Sequence, residues 1–254
     1  MKNLLKKIIE RFGYGIVDKK TLTRLRMQKQ LSRNDFYNLF FSKIDPEDFF
    51  FVQIGASDGK SVDPLFEYVV RYHLKGIAIE PQKDAFECLV ENYKEYPVSC
   101  LQAAVGKESG TFPFWIVKET SRNKKNWFMM SRIASFDKEV IKRTLAKKLP
   151  RGENVEDHIE SIPIKTITFE GLVKQYGIKK IDFLQIDTEG HDYEILQTID
   201  FRCFQPTIIN FENNHMSEAE RNDCEERLED LGYQLFHYDI DTTAYRLEDF
   251  GGQI

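Results

Sequence analysis

The segment formed by residues 51–59 constrains the fold more than any other part of this chain. It is a short apolar run that ends in a turn bracketed by Gly55 and Gly59. The next apolar run, residues 76–79, ends in Glu80. A glycine turn after a buried strand lets backbone N–H groups approach a ligand, and an acid after the next strand can accept both hydroxyls of a ribose. We therefore expect an adenosine-containing cofactor at the carboxyl ends of a parallel sheet.

Apolar runs and amphipathic segments alternate along most of the chain. Strands are predicted at 49–54, 76–80, 98–104, 181–186 and 206–212, and helices at 61–73, 82–95, 169–176, 190–199 and 217–231. Such alternation predicts right-handed βαβ units and a doubly wound, mostly parallel sheet of the α/β class. Two β-rich runs, residues 233–238 and 242–247, flank a short acidic turn and predict an antiparallel hairpin at the sheet edge.

The domain organisation is predicted from where this alternation begins and lapses. Residues 1–45 are predicted to form an N-terminal helical extension, and residues 46–254 the main domain. Between about 111 and 160 only a strand at 111–117 and a helix at 136–148 are predicted. This part is therefore expected to be an insertion near the ligand face.

Two basic segments stand out against a formal net charge of −5. Residues 1–30 carry nine Lys and Arg against two acids, and residues 118–151 carry eleven against three. Apolar residues in 1–12 recur at helical spacing beside lysines, which predicts a basic amphipathic helix that lies on anionic lipid or packs on the domain. The excess of basic residues in each segment indicates either contact with an anionic partner or an ordinary solvated helix face.

Cysteine usage and hydropathy bear on the compartment. The four cysteines show no metal-ligand spacing and are predicted to be reduced, buried thiols: Cys88, Cys100, Cys203 and Cys224. Charges interrupt the first residues too soon for a signal-peptide core, and no apolar run has the length of a membrane span. A cytoplasmic protein is expected, with peripheral contact at the inner membrane face left open for residues 1–12.

The glycine turn alone does not distinguish between dinucleotides and S-adenosylmethionine. Dinucleotide-binding proteins have the pattern G-x-G-x-x-G, whereas this chain has Ser57 at the middle position between Gly55 and Gly59. Asp58 places a carboxylate where a diphosphate disfavours one, although it suits an ammonium group. The turn therefore favours S-adenosylmethionine.

Residues 181–192, IDFLQIDTEGHD, form the most informative motif. An apolar strand ends in Asp187 and Glu189, and Gly190 leads into a helix. Acids at a carboxyl strand end need a cationic ligand, a metal or a proton-transfer task, because unpaired carboxylates there are costly. The alternative is that they only favour the helix dipole.

The segments FVQIGASDG, AIEP, AAVG and IDFLQIDTEGHD, in this order and spacing, resemble the FkbM family of S-adenosylmethionine-dependent methyltransferases. The resemblance covers roughly residues 49–240. It implies a Rossmann-like class I methyltransferase fold with a seven-stranded sheet, and O-methylation of a hydroxyl on a sugar, glycan, glycolipid or natural product. S-adenosylhomocysteine would be the product. The chain departs from the family at Gln53, where Asp is usual, and at Ser57, where Asn is common.

The resemblance and the strand-end positions together predict the cofactor site. In the family pattern the glycine turn lines the methionine part, Glu80 takes the ribose, Ala104 touches the adenine and Asp187 stands beside the transferred methyl group. The predicted cofactor-binding residues are Gln53, Gly55, Ala56, Ser57, Asp58, Gly59, Glu80, Pro81, Gln82, Ala103, Ala104, Val105, Asp187 and Glu189.

An alcohol is a poor nucleophile at neutral pH, so a general base or a metal must help. We predict Asp187 or His215 as the base, with Glu212 orienting the acceptor hydroxyls. No tight His/Asp ligand spacing is visible, so no metal site is predicted. The alternative in which Asp187 and Glu212 hold a divalent cation remains open.

Acceptor binding is predicted from the aromatic and basic residues of the insertion and from the strand ends. The predicted substrate-binding residues are Trp127, Arg132, Ser135, His191 and Asn213. Aromatic faces beside basic groups suit a sugar that carries a phosphate or carboxylate. The same aromatic residues also suit a lid with its own small core, and His191 also suits a packing or capping position.

These features predict an enzyme that methylates a small-molecule or glycan acceptor and has no nucleic-acid partner. Two alternatives remain. The basic insertion slightly favours a nucleic-acid or protein methyltransferase, although the acidic remainder of the chain and the missing N-P-P-Y-type motif oppose it. A non-catalytic cofactor-binding or membrane-docked scaffold is the other, and it is opposed by the intact set of Gly55, Glu80 and Asp187.

Overall fold

The computed structural model describes residues 32–61, 63–121, 130 and 132–246. The chain divides into two compact units, Met1–Ser42 and Lys43–Ile254. In the first unit, helix α1 spans Arg33–Phe41 and begins at a capping box between Ser32 and Asp35. The predicted helix at 1–12 lies outside the described residues, as does most of the predicted extension.

The second unit contains the predicted strand–helix alternation. Its strands and helices are β1 (Phe50–Ile54), α2 (Phe66–Tyr72), β2 (Lys75–Ile79), α3 (Lys83–Tyr93), β3 (Val98–Leu101), β4 (Ala104–Val105), β5 (Gly110–Val117), β6 (Ala134–Ser135), α4 (Lys138–Ala146), β7 (Ile159–Ile167), α5 (Phe169–Tyr176), β8 (Phe183–Ile186), α6 (Asp192–Thr198), β9 (Ile208–Glu212), α7 (Glu218–Asp230), β10 (Gln234–Tyr238) and β11 (Asp241–Tyr245). Short 3₁₀ turns lie at Glu119–Ser121 and Val155–His158.

Seven strands form the main sheet in the order β10-β11-β9-β8-β1-β2-β3. Strands β3, β2, β1, β8 and β9 are parallel to one another, and β11 is antiparallel to both β9 and β10. The order reverses between β1 and β8, and ligands of doubly wound sheets bind at such a switch point. This topology confirms the predicted class I methyltransferase fold and its C-terminal hairpin.

The core explains why the strands are nearly continuous apolar runs. Val52, Leu184 and Phe211 are fully buried and belong to one cluster with Leu172 of α5 and Leu228 of α7. A parallel sheet covered by helices buries both of its faces, so its strands carry apolar residues at successive positions.

A second sheet, which the sequence did not predict as a unit, has the order β4-β7-β5-β6. The predicted strand at 98–104 is divided, because the chain turns where Ala103 N–H donates to the carbonyl of Leu101. β3 continues the main sheet, whereas β4 pairs with β7. The strand at 111–117 is confirmed as β5 and pairs with β7 along its whole length. The insertion therefore contributes β5, β6 and helix α4, and its two strands join β4 and β7 in a small mixed sheet.

The cysteine prediction was wrong about burial. Cys88 and Cys203 are exposed, Cys100 is half-buried and only Cys224 is buried; all four are free. Cys88 lies on the outer face of amphipathic α3, which apolar content alone did not reveal. Among the described residues, no helix combines the length and apolarity needed to cross a membrane.

Candidate active site

A cleft of about 600 Å³ lies over the carboxyl ends of β1, β2 and β8. Its opposite wall is formed by the second sheet. The lining residues are Ile54, Gly55, Ser57, Ile79, Glu80, Pro81, Gln82, Ala103, Ala104, Val105, Phe114, Arg132, Ala134, Phe136, Asp187, Thr188, Glu189 and His191. Ten of the predicted cofactor-binding residues are therefore brought together in one cavity.

The turn after β1 is possible only with glycine at its first position. Gly55 has a φ of +80°, and a Cβ built there would lie 1.8 Å from the carbonyl oxygen of Asp187. The N–H groups of Gly55 and Ala56 both donate to the carbonyl of Ile79 at 2.9 Å. These contacts hold the ends of β1, β2 and β8 together at the floor of the cleft.

Glu80 is anchored by the backbone on both of its oxygens. Ser57 N–H donates to Oε2 at 2.9 Å, and Gln82 N–H donates to Oε1 at 2.8 Å. The side chain is 5% exposed. Burial raises the pKa of Glu80 to about 7, while the two backbone donors and the nearby Arg132 charge oppose that shift. Each oxygen keeps a lone pair, so Glu80 can accept further hydrogen bonds from a ligand.

Four predicted cofactor residues do not line the cleft. Gln53 is buried and donates to Asp63 at 3.0 Å, because alternation along β1 points it away from the cleft. The carboxylate of Asp58 accepts from the N–H groups two and three residues further along its own loop. Ala56 is buried, and the Cα of Gly59 packs against the side chains of α3. These residues shape the turn rather than the cavity wall.

The acids after β8 form the negative end of the cleft. Burial raises the pKa of Asp187 to about 8, and the charges of Asp192 and Glu189 add to the shift. Asp192 is buried and accepts from the hydroxyl of Thr188 at 2.9 Å, which fixes the loop. The backbone of Glu189, in the same loop, has a φ of 54°, which lies in the left-handed region. A cationic ligand in the cleft would offset this concentration of negative charge.

A second cavity, of about 1160 Å³, lies beyond this loop. Its lining residues are Asp137, Val140, Arg143, Thr144, Lys147, Gly190, Asp192, Tyr193, Glu194, Glu212, Asn214, His215, Met216, Ser217 and Glu220. Two of the predicted catalytic residues, Glu212 and His215, therefore line this cavity and not the first one. Burial raises the pKa of Glu212 to about 9, and the charges of Asp187 and Glu189 add to the shift.

Glu189 connects the two cavities. It lines the first cleft, and its Oε2 lies 3.5 Å from Nε2 of His215. The same nitrogen lies 3.9 Å from Oε2 of Glu212. The positions of these residues after the predicted strands at 181–186 and 206–212 predict that they cluster there with Asp187 and His191, but the sequence did not single out the three as a group. The spacing Glu212-x-x-His215 is a weak signal for the pair, but nothing local connects it to Glu189.

The predicted substrate-binding residues have different positions. Arg132 and His191 line the first cleft, and the ring of His191 lies 5.0 Å from that of Phe136. Ser135 is buried and accepts from the N–H group of Asp137, the residue before α4, while Asn213 is buried and donates to Thr242 at 2.8 Å. Trp127 lies outside the described residues. Ser135 and Asn213 therefore brace the structure around the cavities.

The apolar wall of the cleft was not predicted from the sequence. Phe114 of β5 and Phe136 contact each other edge to face, with ring centroids 5.0 Å apart, and both line the cavity. The alternation of Phe112, Phe114 and Ile116 was a usable signal, since one face of a strand carries every second residue. Ala104 belongs to the same packed wall, and a flat adenine suits the space between this wall and the strand ends of the main sheet.

Comparison with known proteins places these features in context. The model of the family described as "Methyltransferase FkbM domain" matches residues 53–235. Methyltransferase FkbM from Methylobacillus flagellatus KT has 14% identity and a TM-score of 0.44, and the match covers 78% of this chain and 43% of that one. This chain therefore spans less than half of that protein's length.

Two further solved structures are similar at comparable levels. Precorrin-6y C5,15-methyltransferase from Geobacter metallireducens GS-15 has 13% identity and a TM-score of 0.40 over 83% of this chain and 86% of that one. A methyltransferase from Geobacter sulfurreducens has 14% identity and a TM-score of 0.40 over 96% and 86%. None of the curated proteins matches this sequence significantly.

Proposed function

Because the chain belongs to the FkbM methyltransferase family, we propose that it is an S-adenosylmethionine-dependent O-methyltransferase. Its acceptor is a hydroxyl of a sugar, a glycan or glycolipid, or a natural product. One observation carries the proposal. The buried carboxylate of Glu80, anchored by two backbone N–H groups, faces the same cleft as Gly55 and Asp187.

The shape of the first cleft supports a nucleoside donor. Its lining combines apolar and aromatic residues with a few polar side chains, as small-molecule sites do. Glu80 would accept the ribose hydroxyls, and Pro81 and Gln82 would flank them. Ala103 and Ala104 leave room for the adenine. The bare Cα of Gly55 lets the rest of the donor approach the backbone.

The charge distribution supports a sulfonium donor over a diphosphate. When bound, S-adenosylmethionine supplies a methyl group on a positively charged sulfur. A cation beside Asp187 and Glu189 would favour ionised carboxylates there, including that of Asp187, whose pKa burial raises to about 8, whereas phosphate groups would disfavour them. Phe114 and Phe136 limit the access of water to the opposite side, so the reacting groups are held in an apolar pocket.

The second cavity supports an acceptor site beside the donor site. It shares the loop after β8 with the first cleft, so a molecule bound there would approach the negative end of the donor cleft. Glu212 would orient acceptor hydroxyls, and Asp187 or His215 would receive the proton. Arg143 of α4 and Lys147, the residue after it, lie in a lining that also carries five acidic residues, so the cavity offers both donors and acceptors to a hydroxylated acceptor.

The first test of this proposal is donor binding. Calorimetric titration of the full chain with S-adenosylmethionine and S-adenosylhomocysteine should show saturable binding of both, and NAD should show none. Heat evolved with NAD but not with either sulfur nucleoside would contradict the donor assignment.

The second test is the acceptor class. Donor labelled in the methyl group should transfer label to hydroxyls in a panel of glycans, glycolipids and natural products. Label appearing only in RNA, DNA or protein would favour the alternative class of methyltransferase. Donor binding without transfer to any member of the panel would favour a non-catalytic role.

A further inference from the structure

Glu189, Glu212 and His215 form a cluster at the boundary between the two cavities. One possible ligand atom from each residue lies within 4.8 Å of the other two. The three come from different parts of the fold: the loop after β8, the last residue of β9 and the turn that follows β9. Convergence of two carboxylates and one imidazole is typical of sites for divalent cations of the Mn²⁺ or Zn²⁺ kind.

Glu212 supplies an independent indication that the cluster is incomplete without a ligand. Its side chain is 8% exposed. Its Oε2 is buried and accepts no hydrogen bond among the described residues, and the same oxygen is the one directed towards His215. Burial of a carboxylate oxygen without a partner is costly, so such oxygens in native proteins usually contact a cation, a donor or water.

No basic side chain neutralises the two acids within the part of the chain that the structure describes. Neither Glu189 nor Glu212 forms an ion pair there with a lysine or an arginine, and the His215 imidazole is their shared contact. Among the described residues, one histidine therefore faces two carboxylates. A divalent cation would balance both charges.

The three ligand atoms, all within 4.8 Å of one another, must move closer together to bind a metal. Ligands about 2.1 Å from a cation lie about 3.0–3.4 Å from one another in octahedral or tetrahedral geometry. His215 Nε2 lies 3.5 and 3.9 Å from the two carboxylate oxygens. Glu189 is one-third exposed, so rotation of its side chain can close the difference.

We propose that Glu189, Glu212 and His215 bind one divalent cation of the Mn²⁺ class between the donor cleft and the second cavity. The catalytic role of this cation rests on the proposed function, whereas the binding of the cation does not. Three protein ligands leave coordination positions open, and Glu212 and His215 line the second cavity. An acceptor hydroxyl bound at an open position would lose its proton more readily, because the cation stabilises the alkoxide.

The cation would also change the roles of the ligands. His215 bound through Nε2 has no free lone pair on that atom and cannot act there as the base. Asp187, which lines the donor cleft on the other side of Glu189, is then the group left to receive the proton. Glu212 would orient the acceptor through the cation rather than directly.

Binding of Mn²⁺ to the chelator-treated full chain tests the proposal without cofactor or acceptor. Titration followed by the electron paramagnetic resonance of free Mn²⁺ should show one bound ion per chain. Glu212→Gln and His215→Gln should each raise the Kd for Mn²⁺ on the order of 100-fold. Loss of a residue that only supports a metal ligand already raises Kd by about 10- to 100-fold, and these two residues would be ligands themselves. Ca²⁺ should compete poorly, because it requires six to eight oxygen ligands.

The chain offers a matched control. His191 and Glu194 form a similar pair, with Nδ1 3.6 Å from Oε2, but no third ligand from the described part of the chain is grouped with them. Glu194→Gln should leave Mn²⁺ binding unchanged. Absence of Mn²⁺ binding by the wild type, or binding that survives both cluster substitutions, would overturn the proposal.

S-adenosylhomocysteine binding separates this proposal from the proposed function. Wild-type protein that binds the nucleoside but not Mn²⁺ disproves the metal site alone. Protein that binds Mn²⁺ but neither sulfur nucleoside disproves the donor assignment and leaves the metal site intact. Glu189→Gln is a further test variant in case the substitutions at the more buried Glu212 and His215 prevent folding. Glu189 is one-third exposed, so its substitution should leave the protein stable and still weaken Mn²⁺ binding.

Discussion

The Cα of Gly55 lies so close to the carbonyl oxygen of Asp187 that a Cβ on Gly55 would be 1.8 Å from it. The first residue of the glycine turn and the acid after β8 therefore occupy one piece of tightly packed backbone. Gly55 has no side chain because none fits, and its bare backbone is also what a ligand in the cleft would meet. The same contact couples the stability of the fold to the geometry of the proposed donor site.

Gly55→Ala should destabilise the protein by about 2–4 kcal/mol, since alanine must adopt a left-handed φ and also displace the backbone of Asp187. Thermal unfolding measures this change. Gly106→Ala is the matched control, because nothing lies within 4 Å of its built Cβ, and its effect should be about 0.5 kcal/mol or less. Equal effects of the two substitutions would contradict the steric argument.

Glu80→Ala should weaken the binding of S-adenosylhomocysteine by about 1–3 kcal/mol, or roughly 5- to 150-fold in Kd, because charge-assisted hydrogen bonds to the ribose are lost. Calorimetry measures the affinity. Glu87→Ala on the exposed side of α3 removes a carboxylate from the same region, and its Kd should equal that of the wild type. Unchanged affinity in Glu80→Ala would remove this residue from the site.

Donor affinity should depend on pH through Glu80, whose pKa burial raises to about 7. Below that pH the carboxyl is protonated and accepts ribose hydrogen bonds poorly, so Kd should rise as pH falls from 8 to 6. The stability of the protein without donor should depend on the Glu80 protonation with the opposite sign. The folded state keeps the Glu80 proton to a higher pH than the unfolded state does, so this group lowers stability as pH rises from about 4.5 to 7.

Glu80→Gln isolates this contribution from that of Asp187 and His191, which also line the cleft. The amide does not titrate, so its Kd should vary less between pH 6 and 8 than that of the wild type. A pH profile of binding that is the same in both proteins would assign the titration to another residue.

Asp187→Asn should lower turnover more than donor affinity, because the amide keeps the shape of the carboxylate but cannot accept a proton. Loss of a general base typically costs about 10²–10⁴ in kcat. Asp182→Asn, just before the other end of β8, is the control. Its carboxylate accepts from Phe50 N–H and pairs with Lys180, so it should affect stability and leave kcat unchanged. An equal loss of affinity and turnover in Asp187→Asn would make the residue structural.

Much of the fold was predictable because its signals are local. The apolar runs at β1, β2, β8 and β9 were located within two residues of their observed limits, since strand and helix periodicity is written in consecutive residues. The small sheet was not predicted as a unit. Its pairing of β5 with β7 joins residues about fifty positions apart, and the role of Ala104 in β4 depends on a turn at Ala103.

The candidate site likewise contains residues whose positions were predictable from the sequence and residues whose positions were not. Gly55, Glu80 and Asp187 were expected together because the carboxyl ends of neighbouring parallel strands meet at one edge. Gln53 was expected in the cofactor site, yet it points to the other face of the sheet and contacts Asp63. Its position in the motif gave no indication of this, because neighbouring side chains in a strand point to opposite faces.

The amino-acid sequence by itself determined the α/β class, the parallel sheet and the edge at which its motifs meet, because these follow from periodicity and from residues close along the chain. Only the tertiary structure decided that Glu189, Glu212 and His215 come within 4.8 Å of one another at the edge where the strand ends meet, and that Phe114 and Phe136 pack beside Ala104 on one wall of the cleft. Those contacts depend on strand order and loop paths, which bring distant residues together by packing that no local pattern encodes.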